Sequence, residues 1–173
     1  MSLNILNIIN KNRKISNGMK YFYQKGLTVT EILVVVAGII LLVVVVTPSF
    51  LKIRENQTMS SAVADVLSAI DKARGNSLAS FSSSEYGVHF QSDKVIIFKG
   101  KIFSANDVNN ESIDITSPAS ISNVTLGGVS GSTGDVYFNR IYGIPSTTGT
   151  VTISTSSYSK IITISQTGNS SKN

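Results

Sequence analysis

Few side chains in this sequence have the type and spacing for chemistry, and the first is an acid in apolar company. Glu31 stands in KGLTVTEILVVV, residues 25–36, at the head of an apolar run that continues to Val46. On membrane-insertion scales an acidic residue at the bilayer centre costs ~2.5–3.5 kcal/mol, and less near an end. An acid so placed needs a use and a partner. The remaining candidates have plainer readings. His89 is the only histidine, and in YGVHF it reads as a sheet-surface or satisfied, partly buried imidazole. Asp107, Glu111 and Asp114 in ANDVNNESIDI offer the oxygen ligands that Ca²⁺ takes, but their spacing fits no EF-hand loop and a solvated polar loop is expected. Tyr86, Tyr137 and Tyr142 are expected to pack, and nothing supports a groove in which they stack on a ligand or on DNA. GGVSGSTG, 127–134, lacks the Lys-Ser/Thr of a phosphate loop and follows no strand–helix unit, so it reads as a flexible loop. The chain has no cysteine, no His/Glu cluster and no G-x-S-x-G. It is therefore not expected to be an enzyme, and no cofactor or metal is expected.

The elements that would position Glu31 follow from hydropathy and charge. Leu27 to Val46 is a membrane-length stretch, and Ile32–Val46 contains nothing more polar than Gly38. As a helix rising ~1.5 Å per residue, 20 residues cross one hydrocarbon core of roughly 30 Å. The β-branched valines favour strand in water, but a lone strand in lipid leaves its backbone groups unsatisfied, so a helix is expected. The net charge of +5 belongs to the amino end. Lys11, Arg13, Lys14, Lys20 and Lys25 precede the run with no acid among them, leaving ten Lys and Arg against ten Asp and Glu from Leu27 onward. A basic balance of this kind says nothing of nucleic acid; it predicts a cytoplasmic amino end and an external remainder. A conventional signal peptide would have a shorter apolar core followed by a small-x-small cut site, and the VTPSF flank offers no A-x-A pattern.

Past the run the period stays helical. Met59, Ala62, Val63, Val66, Leu67, Ile70 and Ala73 form one stripe, with Asp65, Asp71, Lys72 and Arg74 off it, which predicts an amphipathic helix against which a sheet folds. Gly75-Asn76 weakens that helix and the Ser-rich SFSSSE ends it. Alternating β-rich segments then predict strands at 86–90, 94–98, 112–116, 121–126, 135–138, 150–154 and 160–165, with QSD turning the first into the second. The expected fold class is α+β: a long amino-terminal helix packed on a carboxy-terminal antiparallel sheet.

Lys25-Gly26-Leu27-Thr28-Val29-Thr30-Glu31-Ile32-Leu33 closely resembles the amino-terminal signature of type IV pilins and pseudopilins. The resemblance implies a cut between Gly26 and Leu27 by a prepilin peptidase and N-methylation of Leu27. It further implies that Glu31 meets the α-amine of a neighbouring subunit during assembly, where an ammonium would offset the cost of a buried carboxylate. Pro48 matches a proline that usually kinks the pilin helix; the local chemistry equally suits a helix end at the membrane surface. Leu27 departs from the commoner phenylalanine, Thr30 from the usual aliphatic, and the leader is long, with Met19 offering a start eight residues before the cut.

Gly87–Phe90, Val95–Gly100, Val136, Phe138 and Gly143, Gly149–Ile153 and Lys160–Gly168, in that order, resemble the globular domain of minor pseudopilins of the GspH/FimT type. That family implies a β-sandwich-like pair of sheets on the helix, in a subunit that primes or caps a secretion pseudopilus or type IV pilus. The implied partners are the prepilin peptidase, other pilin or pseudopilin subunits, the inner-membrane assembly platform and the membrane. The expected organisation is a cleaved basic leader (1–26), a transmembrane and filament-core helix (27–48), an amphipathic helix (49–81), an external β-rich domain (82–168) and a disordered tail (169–173). The alternative is an uncleaved single-pass adhesin or sensor with an external β domain, which leaves Gly26 and Glu31 without a purpose.

Overall fold

A computed structural model describes residues 26–173; the basic leader before Gly26, including Met19, lies outside the described residues. The chain divides into two compact units, the first ending at Leu42 and the second spanning Val43–Asn173. Helix α1 (Val29–Leu78) supplies residues to both. In the first unit the valine-rich segment is helical despite its β-branching, because a helix satisfies each backbone group within the segment itself. From Leu27 to Val46 every large apolar side chain is exposed. Among the described residues α1 is the one helix long and apolar enough to cross a membrane.

In the second unit α1 turns a buried face inward. Met59, Ala62, Val63, Val66, Ile70 and Ala73 are all buried, as their spacing predicts, and Ala69 and Ser77 join them. Leu67 sits at the margin, packed against the core from one side. The alanines keep this face narrow and let the sheets approach the helix backbone. Nine strands follow α1 and a short 3₁₀ turn at Phe81–Ser83. Strands β1 (Tyr86–Phe90), β2 (Lys94–Lys99), β3 (Glu111–Asp114) and β6 (Gly134–Phe138) form one sheet in the order β3-β2-β1-β6. Strands β4 (Ser120–Leu126), β5 (Val129–Gly131), β7 (Gly149–Ser154), β8 (Ser159–Ile164) and β9 (Ser170–Lys172) form the other, in the order β5-β4-β7-β8-β9. All the pairings are antiparallel. Val88 and Phe90, Val136 and Phe138, Val151 and Ile153, and Ile162 and Ile164 alternate inward and share one core with the helix stripe. The fold is α+β, a helix packed on two antiparallel sheets.

The end of α1 is held by Ser77, the buried polar side chain of this unit. Its hydroxyl accepts from the Tyr86 backbone N–H at 2.9 Å, and its carbonyl accepts from Ile141 N at 2.9 Å. The helix persists through Gly75-Asn76 to Leu78 because Ala73 and Ser77 are buried on its packed face, so tertiary contacts outweigh a weak helix former.

Two expectations are corrected. GGVSGSTG is no simple loop: Gly127 and Gly128, at φ 59° and 83°, make a two-residue hairpin turn, and β5 pairs back on β4 with Leu126 opposite Val129. Residues 169–173 are no tail: the chain reverses at Gly168 (φ 83°), and Ser170–Lys172 pair with Ile162–Ile164 of β8. Both segments are polar and short, so backbone hydrogen bonds hold them and no apolar alternation announced them.

Gly149, at the start of β7, is forced by close approach. A Cβ there would lie 1.9 Å from the Thr125 carbonyl oxygen of β4, a backbone atom that cannot step aside without breaking the ladder. Gly149→Ala is expected to lower stability by roughly 1–3 kcal/mol or more, the range for overpacked sites, read as a fall in the urea midpoint of the full chain. An unchanged midpoint would refute the close contact.

Candidate functional site

The chemistry singled out in the sequence sits at the start of α1. Gly26, Leu27 and Thr28 are non-helical and exposed, and the helix begins at Val29. Thr28 caps it: its carbonyl oxygen accepts from Glu31 N at 3.1 Å and Ile32 N at 3.2 Å, and its hydroxyl accepts from Glu31 N at 3.3 Å. The T-x-x-E spacing is that of a capping box, in which an acid at the third helical position reaches back to the cap residue's N–H. Here one half of the box is made. The Glu31 carboxylate has no hydrogen bond or ion pair among the described residues. An acid in the first turn also meets the positive end of the helix dipole, which favours it by about 0.3–1 kcal/mol when exposed. Helix chemistry thus accounts for an acid near this end.

Gly26 and Leu27 carry no regular secondary structure and are exposed. A Cβ on Gly26 would meet nothing within 4 Å, so no packing constraint explains the glycine.

Pro48 lies inside α1, which continues for 30 residues to Leu78; of the two readings the sequence left open, the helix end is excluded. The proline removes the N–H that would bond Val44 O. One residue earlier the Thr47 hydroxyl donates to Val43 O at 2.6 Å, adding a side-chain bond where the ladder is weakened. Beyond Pro48, Phe50, Leu51 and Ile53 are also exposed, so the uncovered apolar surface of α1 outlasts the run that hydropathy marked out. Lys52 and Arg54 interrupt that surface in sequence, which is why the segment reads as a flank.

The globular unit disperses the other candidates. His89 is partly buried and satisfied, its Nδ1 paired with Asp135 Oδ1 of β6 and its ring stacked on Phe103, with centroids 3.9 Å apart. Phe103 also meets Phe98 edge-on at 5.7 Å. Phe98 lies on the outward side of β2, yet is 1% exposed, because it fills the space left by the absent side chain of Gly87 opposite and the loop after β2 folds over it. This small second core is invisible to strand periodicity, since Phe103 is a loop residue. Asp107 accepts from Asn109 N at 2.9 Å and Nδ2 at 2.7 Å, which holds its carboxyl below the usual aspartate range. Glu111 takes Lys72 Nζ at 2.6 Å. These two acids are thus engaged with separate partners. Among the tyrosines, Tyr86 packs at 7% exposure and Tyr137 is half-buried with Lys101 Nζ 5.9 Å from its ring centroid. Tyr142 is 73% exposed, contrary to the packing expected of it, because it lies in a tight turn between Ile141 (φ 72°) and Gly143 (φ 62°).

Glu55 received no attention from sequence patterns. From α1 it reaches the β7–β8 turn, where the Ser156 hydroxyl donates to its Oε1 at 2.6 Å; that bond first, and Ser157 beside it, holds its carboxyl below the usual glutamate range. Because the folded pKa is depressed, the contact stabilises the fold above the ordinary glutamate pKa, and the stabilisation is lost as pH falls through the lowered value. Replacing Glu55 with Gln is expected to flatten the decline of the thermal midpoint over that acidic window, leaving other acid-sensitive contacts untouched. Parallel acid declines in the two proteins would show that the contact contributes nothing.

Compared with protein-family models, with curated proteins and with solved structures, the chain gives no match.

Proposed function

We propose that this chain is a minor pilin or pseudopilin subunit, cut between Gly26 and Leu27 by a prepilin peptidase, N-methylated at Leu27, and assembled through Glu31. The observation that carries the reading is the pairing of a carboxylate that has no partner among the described residues with the exposed apolar segment Leu27–Val46. A contiguous apolar surface of this size does not stay in water; it belongs in a membrane or against other copies of such a helix. Within either setting an unpaired carboxylate is penalised, and a partner ammonium offsets that cost, so one helix register is favoured over slipped ones.

In this reading the chain waits in the bacterial cytoplasmic membrane as a single span with its amino end inside and its globular unit outside. The assembly platform then lifts it into a pseudopilus or pilus serving secretion, adhesion or DNA uptake. The α+β globular unit, with two sheets on one helix, is compatible with the GspH/FimT-like order of strand and turn residues.

The amino-terminal residue and intact mass of protein purified from native membranes test the cut. A chain beginning at N-methyl-leucine is expected, and a chain retaining residues before Gly26 in a host with active prepilin peptidase would overturn it. Gly26→Leu should leave the longer precursor in the membrane. Glu31→Gln separates assembly from capping: the amide keeps the side chain's shape and its acceptor but removes the charge. Membrane insertion and helix content should persist while incorporation into sheared filaments falls at least tenfold. Normal incorporation would end the pairing argument.

A further inference from the structure

The edge of the globular unit nearest the apolar part of α1 is built from segments distant in sequence. The β7–β8 turn reaches α1 at Glu55, whose Oε1 accepts from the Ser156 hydroxyl. Ser117 and Pro118 border an open hollow there with Leu51, Arg54 and Glu55. Lys160 of β8 and Lys172 of β9 line a groove with Asn56, Met59 and Val63 of α1. Register brings the two lysines together, because β9 runs back along β8 with Lys172 opposite Ile162.

This edge continues the exposed apolar surface of α1. Phe50, Leu51 and Ile53 are exposed and belong to the same compact unit as the strands. Asn56 follows Ile53 by three residues, about 5 Å of helix rise. With α1 immersed through Ile53, the groove at Asn56 stands in the headgroup layer, about 5–7 Å deep on each side of a bilayer. The segments that reach along α1 towards Leu51, Ser117-Pro118 and Ser156-Ser157, are uncharged. Tyr158, 39% exposed at the end of the turn, is an aromatic with a polar tip, a type enriched at membrane interfaces.

The charge at this edge has one sign in excess. Lys52, Arg54, Lys160 and Lys172 are exposed, and none forms an ion pair among the described residues. Against these four stand two carboxylates, Glu55 and the terminal one of Asn173, and Glu55 is taken up by the serine turn. Asp93, on the β1–β2 turn of the other sheet, has Lys94 beside it in sequence. Four of the other six cations of the unit are engaged: Lys72 with Glu111, Lys101 with Glu85, and Arg74 and Arg140 with backbone carbonyls. Free cations beside an exposed apolar surface complement an anionic bilayer, whose phosphates lie just above its hydrocarbon. Nucleic acid would use the cations but leave Phe50, Leu51 and Ile53 in water. A protein partner would meet lysines, which interfaces disfavour.

We propose that this edge binds anionic phospholipid: Lys160 and Lys172, with Lys52 and Arg54, hold headgroup phosphates and fasten the globular unit to the bilayer surface. The inference rests on the membrane placement of α1 in the proposed function, and not on the cut at Gly26 or the pairing of Glu31.

The test uses the full chain in vesicles of phosphatidylcholine, alone or with about a third phosphatidylglycerol, alike in both leaflets so that the direction of insertion is immaterial. The chain has no tryptophan, so Tyr158→Trp supplies a single reporter indole. Its quenching by a trace lipid spin-labelled at the headgroup should be at least about threefold stronger in the anionic vesicles, and high salt should abolish the gain. Lys160→Gln with Lys172→Gln should remove most of that gain with the thermal midpoint preserved. Lys99→Gln, at the strand end opposite Tyr86, should leave it intact. Should the double variant misfold, the unsubstituted chain answers: acetylation of Lys160 and Lys172, read by mass spectrometry, should slow several-fold in anionic vesicles relative to that of Lys99. Equal quenching in both vesicles, or a gain indifferent to the two lysines, overturns the proposal, while vesicle association that resists alkaline carbonate keeps the span. Release of the chain by alkaline carbonate would overturn the span and this proposal with it.

Discussion

The face of α1 from Met59 to Ser77 is the contact on which the globular unit is built. It buries completely against two sheets, and three of its members, Ala62, Ala69 and Ala73, have almost no side chain to bury. What they supply is proximity. A helix surfaced by alanine lets strands approach closely, and the larger Phe90, Phe138 and Ile153 from the sheets fill the space left over. Large residues on the sheets and small ones on the helix make one interdigitated core, as close packing requires. Ser77 closes that core by giving the Tyr86 N–H an acceptor where the helix ends and the first strand begins. An unsatisfied donor there would cost about 1–3 kcal/mol.

The same helix carries the opposite arrangement at its other end. Around Val29–Val46 every described side chain is exposed, and the segment is apolar around its circumference rather than striped. A helix apolar all round is a buried helix in search of its surroundings. The globular unit covers its own apolar side chains, whereas this segment, long and apolar enough to cross a membrane, is left exposed. Glu31 belongs to that exposed set; capping uses its backbone N–H and leaves its carboxylate over.

Smaller devices attach the loops. Arg74 donates to the Gly143 and Thr167 carbonyls at 3.2 and 3.1 Å, tying a turn of each sheet to the helix. Phe103 folds the loop after β2 over Phe98 and His89, covering a large aromatic that points away from the main core. Glu55 fastens the β7–β8 turn. Each tie joins residues far apart in sequence and is polar or aromatic rather than part of a periodic pattern.

That difference marks what the sequence determined alone. The apolar run, the α1 stripe and seven strands were legible because burial imposes a period of 3.6 or 2 on the residues that carry it, and each such segment was in place within a residue or two. The acid at Glu31 was conspicuous for the same reason, as a break in a pattern. Tertiary structure decided the rest. It turned 129–131 and 170–172 into edge strands, because a polar segment pairs when a neighbouring strand offers unpaired backbone groups and a glycine lets the chain reverse. It carried α1 past Gly75, because packing against the sheets outweighs weak local propensity, and through Pro48, where the surrounding side chains are exposed. It exposed Tyr142, which was expected to pack, and buried Phe98 on the outward side of β2. Finally, it brought Lys160 and Lys172 from two paired strands to one groove beside α1, a property of register that no single strand contains.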